Sequence, residues 1–268
     1  MNTKIAFIGA GNIVKAILSG VEKGRKYENA SIGIFDIAEP VRAEFASKGY
    51  TTYSSITELV KNTEVIVSAV TPQIIGKIAD ELSASYTSGQ VILSVVAGID
   101  HIWYKKHIST DCKSVRCMPT LTAQESMGSF AVSKSENCNA KEYAKVYDFL
   151  SSCGIVEEIP ENLMTEVVAF NGSAPGYFYY MTNIVAKEAM KYGFDQNTAV
   201  RLFAQTMKGS AETMLNSGMS VDTLEGKLRL PGGTTIAALE KMEEMGFETC
   251  LQEGIKACIN RCRKLGKS

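Results

Sequence analysis

Two stretches carry residues able to do chemistry. Near the start, Gly9-Ala10-Gly11-Asn12-Ile13-Val14 follows a short apolar run and opens a helix-like segment. Near the end, Leu230-Pro231-Gly232-Gly233-Thr234-Thr235 opens the helix-like run 236–245. Strand, glycine turn and helix in that order form the context of a dinucleotide fingerprint. Gly9 allows the tight turn and Gly11 lets backbone approach a pyrophosphate. The helix start at Asn12 and Ile13 then stabilises the anion. Val14 stands where the pattern has its third glycine, a position that governs helix–strand packing more than phosphate contact. At the other stretch, free amides around Gly232 and Gly233 and the positive end of the helix dipole can hold a carboxylate. Thr234 and Thr235 can cap that helix or touch a substrate.

The elements that must position these residues alternate. Residues 4–8 read as a buried strand and 15–23 as a helix. Residues 31–35 form a second strand ending in Asp36, whose carboxylate can accept from both hydroxyls of an adenosine ribose and would repel the 2′-phosphate of NADP. Arg42, nearby on the next helix, could attract a phosphate instead. The acid tips the expectation toward NADH over NADPH. A helix at 39–48, a strand at 50–53, a helix turn at 56–61 and a strand at 64–69 follow, the last running into Val70-Thr71-Pro72. Pro72 sits where a helix can begin, because its missing N–H is not needed there. A strand at 90–94 leads to Ala97-Gly98, and one at 114–117 to Met118-Pro119-Thr120. Strands alternating with helices imply an α/β fold with a doubly wound parallel sheet, whose ligands bind beyond the carboxyl ends of the strands. Asn12, Asp36, Ala69, Val70, Thr71, Pro72, Ala97 and Gly98 all fall at those ends.

Residues 129–133, 140–150 and 155–158 complete this half as strand, helix and strand, and the boundary is expected near Pro160. That gives a Rossmann-type domain over 1–160 and an all-helical domain over 161–268, serving substrate binding and dimerisation. Helices are expected at 161–171, 177–192, 199–216, with Asp195 as N-cap, at 222–227, 234–245 and 248–265. The Phe178, Tyr179 and Tyr180 cluster, with Met181, reads as core or subunit interface. An isolated helical module of this size often completes its core by dimerising.

Composition bounds the function. The 268 residues are 45% hydrophobic with a formal net charge of −1, which suits a soluble globular protein and not a nucleic-acid binder. The basic tail Arg261, Arg263, Lys264 and Lys267 reads as a solvated last helical turn. No apolar run is long enough to span a bilayer, and the early strand leaves no room for a signal peptide. Seven cysteines without a CxxC pair read as reduced, mostly buried small hydrophobes, so a cytoplasmic protein without a metal site is expected.

Five motifs in chain order resemble pyrroline-5-carboxylate reductase: Gly9-Ala10-Gly11-Asn12, Ala69-Val70-x-Pro72-Gln73, Ala97-Gly98-Ile99, Arg116-Cys117-Met118-Pro119 and Pro231-Gly232-Gly233-Thr234-Thr235. Ile236-Ala237-Ala238-Leu239-Glu240 and Gly246-Phe247 continue the likeness, which spans the whole chain. The resemblance implies a Rossmann domain followed by a helical dimerisation domain. It implies a homodimer, or a larger oligomer built from dimers, using NADPH or NADH to reduce a cyclic imino acid to proline. It implies that backbone amides at Gly232, Gly233 and Thr234 grip the substrate carboxylate, with Ser173 nearby. It also implies that Thr235, the catalytic candidate, points its hydroxyl at the ring nitrogen. Departures cluster around the pocket. Thr120-Leu121-Thr122 stands for the family's Asn-Thr-Pro, Leu230 for a serine, Thr71 for a lysine, and Gly172-Ser173-Ala174-Pro175-Gly176-Tyr177 for Gly-Ser-Gly-Pro-Ala-Tyr; a bulkier or more apolar imine is compatible with them. Two other readings are a β-hydroxyacid dehydrogenase-like enzyme, with Lys187 as acid/base, and a cofactor-binding paralogue without catalysis.

Overall fold

The computed structural model describes residues 4–265; residues 1–3 and Lys267 of the basic tail lie outside the described residues. The first half alternates as expected. In order come β1 (Ile5–Ile8), α1 (Asn12–Gly24), β2 (Ile32–Phe35), α2 (Glu39–Ser47), β3 (Thr51–Thr52), α3 (Ile56–Lys61), β4 (Val65–Ser68) and α4 (Pro72–Ser85). Then follow β5 (Val91–Ser94), α5 (His101–His107), β6 (Ser114–Met118), β7 (Gly128–Lys134), α6 (Ala140–Leu150) and β8 (Gly154–Glu158). They build one sheet in the order β3-β2-β1-β4-β5-β6-β7-β8. The chain reverses winding between β1 and β4, which sets the switch point of a doubly wound fold.

β1, β4 and β5 are buried along their whole length, as near-continuous Val/Ile/Leu runs must be when both faces of a sheet are covered. One face packs Val14, Ile17, Leu18 and Val21 of α1 together with Val146 and Phe149 of α6. The opposite face packs Ile56, Leu59 and Val60 of α3, Leu82 of α4 and Tyr104 of α5. Side-chain caps set several helix starts: Ser55 accepts from Glu58 N–H, Asp100 from Trp103 N–H and Asn139 from Lys141 N–H.

The all-parallel expectation fails at one edge, where β7 runs antiparallel to β6 and β8 parallel to β7. The connection from β6 to β7 is residues 119–127, which hold only the 3-10 turn Leu121–Glu125. That is too short for a crossover returning to a parallel start. The helix expected over 161–171 is also not formed. A 3-10 turn, Glu161–Leu163, is followed by the short α7 (Val167–Phe170). Tertiary contacts override local propensity there. Glu161 is held by Arg116 Nη1 of β6, and its other oxygen lies 3.2 Å from His101 Nε2 at the start of α5. Burial alone would raise the Glu161 carboxyl, but His101 and Arg116 outweigh it and hold the group down at about 2. Five residues further on, Glu166 pairs with Arg263 at 2.6 Å.

The last helices are α8 (Ala174–Lys191), α9 (Gln196–Asn216), α10 (Val221–Gly226), α11 (Thr234–Glu244) and α12 (Phe247–Leu265). α9 starts at its expected cap, where Asp195 Oδ1 accepts from Thr198 N–H at 3.0 Å. By compactness the chain divides into one unit of residues 1–175 with 258–268, and a second of 176–257. The second unit has almost no core within one chain. Of its described residues only Ala186 and Ala199 are buried. Phe178, Tyr179, Tyr180, Tyr192, Leu202 and Leu215 are each about half exposed or more. The aromatic cluster is therefore not internal core, and helices this apolar require cover from another surface.

Stability of this unit is thereby tied to association, so the thermal midpoint is expected to rise with protein concentration. Each tenfold increase favours an associated folded state by about 1.4 kcal/mol. Calorimetry across a hundredfold range checks this, and a midpoint independent of concentration would contradict it.

Candidate active site

The β1–α1 turn is shaped by Gly9. Its φ of +95° is left-handed, and an added Cβ would sit 2.7 Å from the Ala69 carbonyl oxygen. Only glycine tolerates both conditions. Gly9 N–H donates to Phe35 O at 2.8 Å, tying the turn to the end of β2. Gly11 is the N-cap of α1 and offers no side-chain cap, and an added Cβ there would meet nothing within 4 Å. Space is therefore open beside Gly11, and the first-turn amides of α1 have no intrahelical acceptor. Lys15 N–H, donating to Gly11 O at 3.0 Å, is the first to find one. Asn12 is exposed, Ile13 half-buried and Val14 fully buried. Val14 fills the position of the missing glycine as core. The closest approach of α1 comes later, at Gly20, where an added Cβ would sit 1.9 Å from Ala123 O.

Asp36 fastens two loops. Its Oδ2 accepts from Ala10 N–H and its Oδ1 from Ala38 N–H, each at 3.0 Å. Each carboxylate oxygen keeps a further acceptor site for a ribose hydroxyl. Arg42 does not pair with this carboxylate. Its Nη1 donates to the Asp36 carbonyl at 2.6 Å and to the Ile37 carbonyl at 3.2 Å. Ile37, which the motif reading passed over, is 91% exposed beside them. An apolar residue directly after the acid was its signal.

At the end of β4, Ala69 N–H donates to Ile8 O at 2.9 Å, bringing Ala69 and Val70 beside the β1 turn. Thr71 caps α4 through backbone alone and Pro72 is its first residue, as expected for a proline at a helix start. At the end of β5, Val95 N–H donates to Ser68 O at 3.0 Å, and Ala97 and Gly98 lie exposed, Gly98 with φ +75°. One edge of the sheet therefore gathers every expected dinucleotide residue. Gly11 offers the space and the free amides a pyrophosphate needs, and Asp36 the acceptors for a ribose.

Residues 120–122 depart from the family motif. Here Thr120 is buried, its Oγ1 accepting from Ser129 N–H at 2.9 Å and sharing a hydrogen bond of 2.7 Å with Thr122 Oγ1. These hydroxyls are engaged within the loop. The buried thiols supply no nucleophile, since desolvation pushes Cys112 and Cys153 up to about 12. Among the described residues no group of three or more His, Cys, Asp and Glu side chains is placed to hold a metal.

In the second unit, Leu230–Gly233 forms a tight turn. Gly233 N–H donates to Leu230 O at 2.9 Å, with Pro231 second and Gly232 third at φ +74°. Proline followed by a left-handed glycine is the signature of a type II turn. Gly233, not a threonine, is the N-cap of α11, and no side chain caps that helix. Thr234 and Thr235 lie inside the first turn and are exposed. The capping role is thereby corrected: a residue at the first or second helical position cannot accept from the amides that a cap serves. The N–H groups of Thr234 and Thr235 remain available at this helix start, whereas the Gly233 amide expected to grip a carboxylate is used within the turn. Ser173, of the first unit, accepts a thiol contact from Cys258 at 3.4 Å. Lys187 is exposed on α8.

Known proteins match both parts. Residues 161–265 match the family model for pyrroline-5-carboxylate reductase dimerisation. Residues 4–98 match the model for NADP oxidoreductase, coenzyme F420-dependent. A pyrroline-5-carboxylate reductase of Haemophilus influenzae is 31% identical over 265 residues, covering 97% of each chain. The Escherichia coli enzyme of that name is 29% identical over the full length of both. The crystal structure of pyrroline carboxylate reductase from Plasmodium falciparum, with NADP bound, superposes with a TM-score of 0.87 at 25% identity, covering 99% of this chain and 98% of that one. No helix among the described residues is long and apolar enough to cross a membrane. The dinucleotide-type first part, the apolar helices that require cover and the full-length similarity agree, and the chain belongs to the pyrroline-5-carboxylate reductase family.

Proposed function

We propose that this protein reduces the C=N bond of 1-pyrroline-5-carboxylate and releases L-proline, the last step in making that amino acid. The observation that carries the reading is the match to the Haemophilus influenzae reductase, which runs through both parts of this chain. The functional division falls near Pro160, with 1–160 holding the dinucleotide and 161–268 serving substrate and self-association. The match to a dimerisation model and the uncovered apolar helices support a homodimer, from which a larger oligomer can be built. The cytoplasm is the compartment that suits seven free cysteines.

Residues of this chain would share the work as follows. The amides of Asn12 and Ile13 receive the pyrophosphate, while Gly9 and Gly11 keep the turn clear of side chains. Ala69, Val70, Thr71 and Pro72 line the site at the end of β4, across the switch point from Asp36, and Ala97 with Gly98 line it at the end of β5. The nicotinamide group, when bound, supplies a hydride. At the start of α11, the amides of Thr234 and Thr235 bind the substrate carboxylate, and the turn at Gly232, closed by the Gly233 N–H, aims them. The hydroxyl of Thr235 holds the ring nitrogen, and Ser173 contributes a second hydroxyl. An iminium carbon is already electrophilic, so neither a metal nor a strong side-chain acid is needed.

Asp36 favours NADH. Its carboxylate sits where a 2′-phosphate would bring a second negative charge, and Arg42, turned to two carbonyls, is not positioned against the carboxylate. Replacing Asp36 by serine removes that charge while leaving Arg42. The kcat/KM ratio of NADH over NADPH is expected to fall by about tenfold or more in the Asp36→Ser variant. A ratio that does not move would remove Asp36 as the discriminator.

The reaction itself is tested by following NADH oxidation with 1-pyrroline-5-carboxylate and identifying L-proline by chromatography. Turnover is expected, reduced by about tenfold to a hundredfold in a Thr235→Ala variant that keeps its fold. Absence of turnover with both NADH and NADPH would overturn the assignment.

A further inference from the structure

Asn171 is among the few polar side chains buried in the first unit, at 9% exposure. In the sequence it is merely the last residue of a helix-like run. In the structure it follows α7, where its N–H donates to Val167 O at 2.8 Å and its carbonyl accepts from Ala174 N–H at 3.2 Å. Its side chain leaves this turn for the sheet. Nδ2 donates to Met118 O at 2.9 Å and to Ser129 O at 3.1 Å. Both partners are acceptors, so only the NH2 group of the amide can face them, and both of its hydrogens are used.

Those two carbonyls belong to the last residue of β6 and the second residue of β7. The two strands are antiparallel, so these residues form the neck of the loop 119–127. The next residue, Gly172, lies so close that an added Cβ would sit 3.2 Å from Met118 Sδ. The neck is thus braced by the segment that runs on through Ser173 into α8. Removing this amide takes from two carbonyls at the neck the donor it supplies to them.

The position of the loop gives the brace a meaning. A dinucleotide on a doubly wound sheet straddles the switch point, here between β1 and β4. With Asp36 marking the adenosine side at β2, the nicotinamide side lies toward β5 and β6. The loop 119–127 leaves the carboxyl end of β6 on that side. We infer that Asn171 is a positioning residue for hydride transfer: its amide fixes the neck of the 119–127 loop, and with it the wall of the site on the nicotinamide side. Asn171 acts through Met118 and Ser129 and does not itself touch the reacting atoms. The reaction concerned is the imine reduction proposed above, while the brace is a property of the fold alone. Displacements of about 1 Å at a reacting centre are enough to reduce rates on the order of a hundredfold.

The test compares the parent enzyme with Asn171→Ala and Asn171→Ser, the second keeping one donor. Three quantities are measured: kcat and KM with NADH and 1-pyrroline-5-carboxylate, NADH affinity by fluorescence, and amide hydrogen exchange of peptides covering 119–128. For Asn171→Ala, kcat is expected to fall by about tenfold or more while NADH affinity stays within about threefold. Exchange within 119–128 is expected to accelerate by about tenfold without matching acceleration in β1, β4 or β5. Asn171→Ser is expected to lie between the two, and it carries the comparison alone if the alanine variant does not fold. Unchanged kcat, or loss of NADH affinity and acceleration of exchange across the whole sheet in step with kcat, would overturn the positioning role. If the parent turns over no imine, the reductase reading fails separately. The exchange data then decide the brace, which acceleration confined to 119–128 supports and unchanged exchange refutes.

Discussion

Where the chain leaves β1 there is room for a hydrogen atom and nothing larger. The Ala69 carbonyl lies 2.7 Å from where a Cβ of Gly9 would be, and Gly9 already sits at φ +95°. The β1 and β4 loops approach this closely because the strands stay in register from Ile5↔Val65 to Ile8↔Ser68 and Ala69 N–H continues the pairing to Ile8 O. Everything at the cofactor edge hangs on this approach. Ala10 is placed to donate to Asp36, Gly11 opens α1 toward open space, and α1 lays Val14, Ile17 and Val21 onto the sheet. A side chain at position 9 would force these apart together, since the neighbour it would meet is backbone and not a flexible side-chain end.

Much of this was legible in the residues, because it is local. An apolar run, two glycines and a helix-forming segment specify a strand–turn–helix without help from the rest of the chain. The α3 and α6 boundaries read from the sequence match those observed, and Asp195 caps α9 as its residue type suggests. What was not legible depends on distant partners. Residues 161–171 have the composition of one helix, but Glu161 is claimed by Arg116 and His101 and Glu166 by Arg263, and the chain bends between them. The reversal of β7 follows from the shortness of 119–127, which a pattern of strands and helices does not weigh. The threonines after Gly233 resemble caps until the helix is seen to begin at Thr234. Asn171 carried no signal at all, since one buried asparagine is indistinguishable by type from a solvated helix end.

The two compact units distribute stability differently. The sheet unit has a core on each face and its central strands β1, β4 and β5 are buried along their length, so its cofactor edge is preorganised. The helical unit buries two alanines and leaves tyrosines, leucines and methionines uncovered. Its fold is completed by association, which is the arrangement expected where the matching family model is one for dimerisation. The α11 start, with its type II turn and uncapped amides, belongs to this second unit, so the proposed carboxylate site depends on a surface that self-association also stabilises.

The central claim is that free helix amides at both ends of the chain divide the two anions of the reaction between them. A crystal structure of the protein with NADH and L-proline tests it most directly. Pyrophosphate density at the Asn12 and Ile13 amides, a ribose on Asp36 and a proline carboxylate on the amides of Thr234 and Thr235 is the expected result. A dinucleotide in that place with the proline carboxylate held elsewhere would contradict it.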